Sequence, residues 1–366
     1  MLRTKPPFRA DQVGSLLRSA PVKEARTKRA ANEITPAELK AVEDAEIARL
    51  VAKQEAIGLQ AVTDGEFRRS WWHYDFLKGL YGVELVSVAQ GLQFKGTETK
   101  AEGLHVHGRI DFIDHPMIDH FRYLKSVAKA VPKMTIPSPT ALHYRGGRQA
   151  IERSVYREME AFFEDLGRAY TKAVRAFGEA GCTYLQLDEV FVAYLCDPAQ
   201  REYLKRRGDD PDRLLHVYAD LVNAAVAGRT PGMTISMHLC RGNFRSTWMA
   251  QGGYEPVADV LFNKMGVDAY FMEYDSDRAG GFEPLRLLPK NKHAVLGIMT
   301  SKTGALESRD QLKRRLEEAA KFTDFDRLCI SPQCGFASTE EGNLLAEEEQ
   351  WAKLSRCVEV AKEVWG

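Results

Sequence analysis

Residues 233–240 read MTISMHLC, an apolar run that ends in a histidine and a cysteine. Three further runs of this kind follow in the second half of the chain: AYFMEYDS (269–276), HAVLGIMT (293–300) and RLCISPQCG (327–335). Continuous apolar runs bounded by turn residues are typical of strands buried on both faces of a parallel sheet. Helix-like stretches separate them, so this half of the chain predicts repeated strand and helix units.

The first half of the chain shows the same pattern. Its strand-like runs are DQVGSLL (11–17), LQAVTDGE (59–66), KMTIPSP (133–139) and YLQLDEV (184–190). Two helices begin with a capping box, one at Thr35 and one at Ser308. About eight strands that alternate with helices predict an α/β fold of the (β/α)8 TIM-barrel type rather than an open doubly wound sheet.

The stretch from about 70 to 130 interrupts this alternation. It is aromatic near its start, at Trp71, Trp72 and Tyr74, and GLHVHGRIDF (103–112) is typical of a hairpin. We therefore predict a loop and hairpin insertion at about 70–130, lying over the mouth of the barrel. No clean linker divides the sequence, so residues 1–366 are predicted to form a single domain.

Composition excludes several classes of protein. The chain has 366 residues, is 44% hydrophobic, and balances 51 Lys and Arg against 51 Asp and Glu. This balance does not favour binding to nucleic acid or to an anionic membrane surface. No apolar run approaches the length of a bilayer span, and the N-terminus lacks an apolar leader, so a cytoplasmic protein is expected. Six cysteines in a chain this long are expected to be core thiols or metal ligands rather than a disulfide framework.

Polar side chains stand at the ends of the predicted strands. In a barrel, the carboxyl ends of the strands converge on one face. The residues at such ends are Ser15, Glu66, Asp188, His238, Cys240, Glu273 and Cys334. One imidazole, two thiolates and one carboxylate form a good tetrahedral zinc set, which points to His238, Cys240, Glu273 and Cys334. The alternative is that both cysteines and the histidine are ordinary core residues.

The order of the short motifs makes a resemblance specific. They are VGSLLR (13–18), TDGEFRR (63–69), LQLDEV (185–190), MHLC (237–240), the isolated Glu273 and SPQCG (331–335). In this order they resemble the catalytic half of cobalamin-independent methionine synthase, and more closely its short single-barrel relatives. The resemblance spans almost the entire chain. It implies a (β/α)8 barrel with Zn²⁺ held by His238, Cys240, Glu273 and Cys334.

The resemblance also implies a substrate and its contacts. The predicted activity is methyl transfer to a thiol, homocysteine, which zinc would hold as a nucleophilic thiolate to give methionine. Glu66 and Asp188 are expected to hold the amino group of homocysteine, and Ser15 its carboxylate. Asp188 and Lys302 are the predicted catalytic residues, Lys302 standing where the family carries a proton-donating histidine. The alternative for Lys302 is a solvated loop lysine.

Three departures from the family leave the methyl donor open. The chain lacks the second barrel half that helps to hold the folate. The folate-stacking tryptophan is missing near IPSPT (136–140), and Tyr194 stands at about the position of the folate-contacting glutamate. The donor is therefore methyltetrahydrofolate or another methyl compound, and a methyl-carrier protein is a further candidate partner. Trp71, Trp72 and His73 either form an aromatic wall for the donor or pack the insertion on the barrel.

Two other functions remain open from the sequence. One is zinc-dependent alkyl transfer to a different thiol, similar to epoxyalkane:coenzyme M transferase. Glu66 and Asp188 favour an amino-acid thiol over that reading, because a sulfonate-bearing thiol would prefer Arg or Lys near Ser15. The other is a thiol-binding subunit that receives a methyl group from a partner carrier protein.

Overall fold

A computed structural model describes residues 3–366; the first two residues of the N-terminal segment, where no leader is expected, lie outside it. Parallel strands form the centre of the molecule, and two short antiparallel pairs lie outside them. In chain order the strands are β1 (Ala61–Val62), β2 (Tyr81–Ser87), β3 (Gln93–Phe94), β4 (Thr97–Glu98), β5 (Glu102–Asp111), β6 (Val131–Pro137), β7 (Tyr184–Glu189), β8 (Thr234–Leu239), β9 (Ala269–Glu273), β10 (His293–Met299) and β11 (Leu328–Pro332).

Seven of these strands form one curled parallel sheet in the order β1-β6-β7-β8-β9-β10-β11. Because every neighbour is parallel, the strands all end on the same face. In register, Asp188 of β7 lies opposite His238 of β8, and Glu273 of β9 lies opposite Gly297 of β10. This sheet confirms the predicted α/β class and places the predicted site residues along one rim.

The N-terminal segment lies against the last strand of the sheet and reaches the turn after the first. Ala10 bridges Ile330 in parallel, Asp11 N donates to Ile330 O at 3.0 Å, and Leu16 N donates to Gly65 O at 3.0 Å. The prediction of a strand over 11–17 is wrong beyond this bridge. At Gly14 the chain turns with φ +150°, and the Gly14 carbonyl accepts from the Thr63 side chain instead of a strand neighbour.

Helices surround the sheet on its outer side. In chain order they are α1 (Ala20–Ala30), α2 (Pro36–Ala56), α3 (Tyr74–Leu77), α4 (Pro116–Val127), α5 (Thr140–Gly146), α6 (Met159–Glu179), α7 (Phe191–Tyr194), α8 (Pro198–Arg207), α9 (Pro211–Val226), α10 (Ala258–Lys264), α11 (Arg309–Ala319) and α12 (Glu347–Trp365). Both predicted capping boxes are present. Thr35 Oγ1 accepts from Glu38 N at 3.2 Å, and Ser308 Oγ accepts from Gln311 N at 3.2 Å.

The insertion is shorter than predicted. Its hairpin is present, because β2 and β5 pair in antiparallel register with Val83 opposite Val106. The upper boundary near 130 is wrong, because α4 is a helix that packs against β6 and returns the chain to the sheet. Val83, Leu104 and Val106 are buried in the same hydrophobic cluster as the sheet, so the hairpin shares the core of the barrel.

Candidate metal and substrate site

Four buried side chains meet at the rim where the parallel strands end. His238 lies on β8 and Cys240 directly follows that strand, Glu273 ends β9, and Cys334 lies two residues beyond β11. Their ligand atoms all lie within 4.8 Å of one another. The structure therefore brings together the four residues that the sequence singles out as metal ligands.

The chemistry of this cluster fits a divalent cation. Cys240 Sγ and Cys334 Sγ are 3.5 Å apart, close to the spacing of about 3.5–4 Å expected between ligands of a tetrahedral zinc site. Their contact and burial raise the pKa of Cys240, and the contact lowers the pKa of Cys334, as expected for two thiols that share one proton. The His238 ring nitrogens are buried and have no hydrogen-bond partner. A cation would satisfy this imidazole and both sulfurs together.

The Glu273 carboxylate is held by the backbone N–H of Arg241 and by the guanidinium of Arg278. Arg241 N donates to Glu273 Oε1 at 2.9 Å, and Arg278 Nη2 lies 3.3 Å from Glu273 Oε2. Arg278 is itself packed over the ring of Trp248, with 4.9 Å between the guanidinium carbon and the ring centre. Partners of this kind fix the orientation of a ligating carboxylate. Sequence reasoning missed both arginines, because neither lies in a metal-binding motif.

Glu66 is aimed at the same rim by an unusual turn. Gly65 and Glu66 have consecutive φ values of 65° and 59°, and Asp64 Oδ1 accepts from Glu66 N at 2.9 Å. The left-handed conformation is strained for a glutamate, so it is retained where the rest of the structure enforces it. Glu66 Oε1 accepts from Thr135 Oγ1 at 2.9 Å and lies 3.5 Å from Arg69 Nη1. Its other oxygen, Oε2, is buried without a partner.

Asp188 lines the same cavity as Glu66. Asp188 Oδ1 accepts from Gln186 Nε2 at 2.7 Å. The Asp188 side chain lies at the end of β7, beside the four candidate metal ligands. Burial, and then the charge of Glu66, raise the pKa of Asp188 to about 7, and burial also raises the pKa of Glu66. Two buried carboxylates that disfavour each other's charge form a site that a cationic group would stabilise.

Ser15 lies against the segment of chain that carries Cys334. Ser15 O accepts from Phe336 N at 2.9 Å. A Cβ on Gly335 would lie 1.9 Å from Ser15 Oγ, so the close approach requires glycine at this position. One cavity is lined by all three predicted substrate contacts, Ser15, Glu66 and Asp188, and by the predicted metal ligands His238, Cys240 and Cys334.

Lys302, the predicted proton donor, is buried behind the loop that follows β8. Its Nζ donates to Gly242 O at 3.4 Å, to Asn243 Oδ1 at 3.3 Å and to Thr247 O at 3.3 Å. These bonds tie the ammonium to the loop, and Lys302 does not line the cavity in the part of the chain that the structure describes. The geometry thus gives Lys302 an anchoring role for the loop in this conformation.

The outer half of the cavity is formed by aromatic side chains and one arginine. Trp71 and Trp72 line it, as does Phe94 of β3 on the insertion, together with Arg145 and Tyr194. The cavity is narrow, with a volume of about 30 Å³, so a substrate enters only when side chains of this outer wall move apart. Arg145 was missed in the sequence because it lies in the short helix α5 and belongs to none of the strand-end motifs.

Other predicted features lie away from this site. His105 Nδ1 lies 3.0 Å from Glu84 Oε1 across the β2 and β5 hairpin. Cys182, Cys196, Cys329 and Cys357 are buried, as expected for core thiols. No helix within residues 3–366 is long and apolar enough to cross a bilayer.

Comparison with known proteins gives a consistent family. Residues 8–363 match the family described as cobalamin-independent synthase, catalytic domain. The chain is 52% identical over 363 residues to the uncharacterized protein YxjH of Bacillus subtilis, covering 99% of this chain and 96% of that protein. It is 26% identical over 352 residues to 5-methyltetrahydropteroyltriglutamate–homocysteine methyltransferase of Bacillus velezensis, covering 96% of this chain but only 42% of that longer enzyme.

A solved structure shows the same fold over the whole chain. The crystal structure of a Listeria monocytogenes protein, assigned as a vitamin-B12 independent methionine synthase, is 39% identical, with a TM-score of 0.80 and 100% of both chains covered. The resemblance seen in the motifs is thus confirmed over nearly all residues, as is the TIM-barrel class. The chain belongs to the family of cobalamin-independent methionine synthase catalytic domains, which are methyltransferases.

Proposed function

We propose that this protein is a zinc-dependent S-methyltransferase that methylates homocysteine to give methionine. The observation that carries the proposal is the position of Glu66 and Asp188 in the cavity that also contains His238, Cys240 and Cys334. A metal site for a thiol and a pair of acids for an ammonium then lie within one small cavity. An amino acid with a side-chain thiol has both groups.

Each side chain has a defined task in this proposal. A zinc ion held by the four ligands would supply the positive charge that deprotonates the substrate thiol. Glu66 Oε2, which is buried without a partner, accepts from the substrate ammonium together with Asp188. Ser15 donates its hydroxyl to the substrate carboxylate. These contacts fix the sulfur beside the metal ligands and leave its outer side facing Trp71 and Phe94.

The acidic pair distinguishes this acceptor from a thiol without an amino group. A thiol that bears only a sulfonate would place a negative group near Glu66 and Asp188, which is unfavourable in a buried site. Among residues 3–366, Arg145 is the arginine that lines the cavity, and it belongs to the outer half, whereas Arg69 contacts Glu66 without lining the cavity. Homocysteine therefore fits the charges of the inner half better than coenzyme M does.

Metal content and thiol binding test the proposal directly. We expect the purified chain to hold one zinc ion, and Co²⁺ in its place to show a new sulfur-to-metal absorption band when homocysteine is added. Cys334→Ala should lose the metal and all methionine formation. The three ligands that remain, His238, Cys240 and Glu273, are fixed at the ends of their strands and cannot move to fill the position of the missing thiolate. Cys182→Ala is the matched control, since Cys182 is equally buried but remote from the cluster.

Two results would contradict the proposed function. A Cys334→Ala protein that keeps a full equivalent of tightly bound zinc would exclude the proposed ligand set. A metal-loaded protein whose cobalt spectrum does not respond to homocysteine would exclude the proposed acceptor.

A further inference from the structure

The outer half of the cavity differs in charge from the inner half. Around the four candidate metal ligands the lining carries two acids and two thiols, Glu66, Asp188, Cys240 and Cys334, beside the imidazole of His238 and the hydroxyl of Ser15. Farther out the lining consists of aromatic rings with a single guanidinium, that of Arg145. A second substrate that sits between these regions meets negative charge on one side and positive charge on the other.

We propose that the methyl donor is a small zwitterion, with a methylated sulfonium or quaternary ammonium group facing the metal cluster and a carboxylate facing Arg145. This inference rests on the proposed function, because it names the class of the second substrate in the same cavity.

Arg145 has no ionic partner among residues 3–366. Its Nε is buried without a hydrogen bond, and its Nη1 contacts Met249 Sδ at 4.0 Å. The guanidinium lies over the ring of Phe191, with 5.0 Å between its carbon atom and the ring centre. A partly buried guanidinium held by aromatic packing, with donors still free, is suited to bind a carboxylate through two parallel hydrogen bonds.

Tyr194 adds a second free donor beside Arg145. Its hydroxyl is buried, lines the cavity and has no hydrogen-bond partner. Tyr194 is held in place by Phe191 and Tyr144, whose rings meet it edge to face with centres 5.6 and 5.7 Å away. A buried donor without a partner carries a free-energy cost that a ligand oxygen removes.

The aromatic wall suits a methylated cation. Trp71 stacks on Tyr74 with ring centres 5.2 Å apart, and Phe94 packs on Phe244 at 5.4 Å, so these side chains are supported from behind. Aromatic rings bind quaternary ammonium and related cations through their electron-rich faces. With homocysteine bound, its ammonium occupies Glu66 and Asp188, so the attraction for the donor cation comes from the aromatic faces and the substrate thiolate.

With this donor class the leaving group needs no acid, so the reaction does not require Lys302, whose Nζ bonds to Gly242 O, Asn243 Oδ1 and Thr247 O, to act as a proton donor. The substrate thiol loses its proton to solvent, and the thiolate forms a bond to the methyl carbon. The bond from that carbon to sulfur or nitrogen of the donor breaks, and its electron pair stays with the departing atom. The products are a thioether on the acceptor and a neutral thioether or tertiary amine, so the leaving group needs no proton.

Calorimetry on the zinc-loaded full chain, saturated with homocysteine, tests the donor class with matched probes. The probes are glycine betaine and dimethylsulfoniopropionate, 3,3-dimethylbutyrate, which keeps the carboxylate without the positive charge, and choline, which keeps the charge without the carboxylate. We expect at least one zwitterion to bind about tenfold or more tighter than either single-charge probe. We also expect it to yield methionine with stoichiometric demethylated product.

Variants assign the two ends of the donor. Arg145→Gln should remove the preference over choline and keep the preference over 3,3-dimethylbutyrate, whereas Trp72→Leu should do the reverse. Arg157→Gln is the matched control, because its side chain is 94% exposed, and it should change neither preference.

Two results would overturn the inference. One is that neither zwitterion binds more tightly than the single-charge probes. The other is that Arg145→Gln weakens homocysteine binding and leaves the probe preferences unchanged. Homocysteine binding measured in the same samples separates the cases: if it fails, the proposed function fails, and if it holds without a zwitterion preference, only the donor class is wrong.

Discussion

Glu66 combines a strained backbone with an unpaired buried oxygen. Its φ of 59° turns the side chain inward, and Oε2 has no partner in the protein. Both features cost free energy of folding. Such costs are common where a residue waits for a ligand, and here the ligand proposed is the ammonium of homocysteine.

Replacement of Glu66 by Gln should therefore cost affinity only for thiols that carry an amino group. A hydrogen bond between charged groups is worth about 1.5–3 kcal/mol, so the Kd for homocysteine should rise by about 10- to 100-fold. The Kd for 4-mercaptobutyrate, which is homocysteine without its amino group, should change little. Both affinities can be measured from the cobalt absorption band, with the exposed Glu317→Gln as control.

Comparison of homocysteine with 4-mercaptobutyrate distinguishes the loss of one contact from a general loss of structure. A Glu66→Gln protein with a damaged fold would bind both thiols poorly. If the variant loses the same factor for homocysteine and for 4-mercaptobutyrate, Glu66 does not contact the amino group.

Among the elements, helices α5 and α9 are joined by a buried histidine. His143 of α5 is buried and its Nδ1 lies 2.9 Å from the Tyr218 hydroxyl of α9. Burial lowers the pKa of His143 to about 4, despite Asp209 nearby. The folded state thus favours neutral His143, whereas the unfolded chain has a histidine pKa of about 6.5.

This shift predicts a loss of stability on the acid side. The contribution of neutral His143 is complete above pH 6.5 and is lost as the pH falls toward 4, because the unfolded chain then binds the extra proton. Between pH 7.5 and pH 5 the loss should be on the order of 2 kcal/mol. His143→Gln should reduce the difference in unfolding free energy between these two pH values by that amount, as measured by urea denaturation. An unchanged difference would show that His143 is not kept neutral.

The elements also show where sequence reasoning succeeds. The capping boxes at Thr35 and Ser308 are local, so four adjacent residues determine them and the prediction was correct. The strand predicted over 11–17 was wrong, because Asp11 and Gly14 direct their hydrogen bonds to distant parts of the chain. The end of the insertion was misplaced because Asp114 and Pro116, which mark the end of the hairpin and the first turn of α4, were not used as a boundary.

In the candidate site, too, some residues could be predicted from the sequence and others depend on tertiary packing. His238, Cys240, Glu273 and Cys334 could be selected because parallel strand ends must converge, whatever the details of packing. Arg145, by contrast, lies in the short helix α5, and nothing near it in the sequence indicates that it faces the cavity. Its position depends on the tertiary packing of several side chains.

At the scale of the whole molecule, a buried ion pair holds the N-terminal segment on the sheet. Lys133 on β6 lies 3.3 Å from Asp11 of the N-terminal segment, and both side chains have 0% exposure. Lys133 also donates to Gln12 O at 2.5 Å, and Asp11 accepts from the Tyr184 hydroxyl of β7 at 2.9 Å. These bonds join the N-terminal segment to two strands of the sheet. Because this segment also bridges Ile330 of the last strand, the pair links opposite parts of the sheet.

Lys133→Met should therefore destabilise the protein by about 3–5 kcal/mol, because it leaves the Asp11 carboxylate buried without its cation. The double variant Asp11→Asn with Lys133→Met should recover part of that loss, since no buried charge remains. Urea denaturation followed by tryptophan fluorescence gives both values, with the exposed Lys172→Met as control. If the double variant is less stable than the sum of the two single changes predicts, the pair does not act as a compensated charge. Recovery would instead show that mutual neutralisation of two charges, neither of which could be buried alone, holds the N-terminal segment on the sheet.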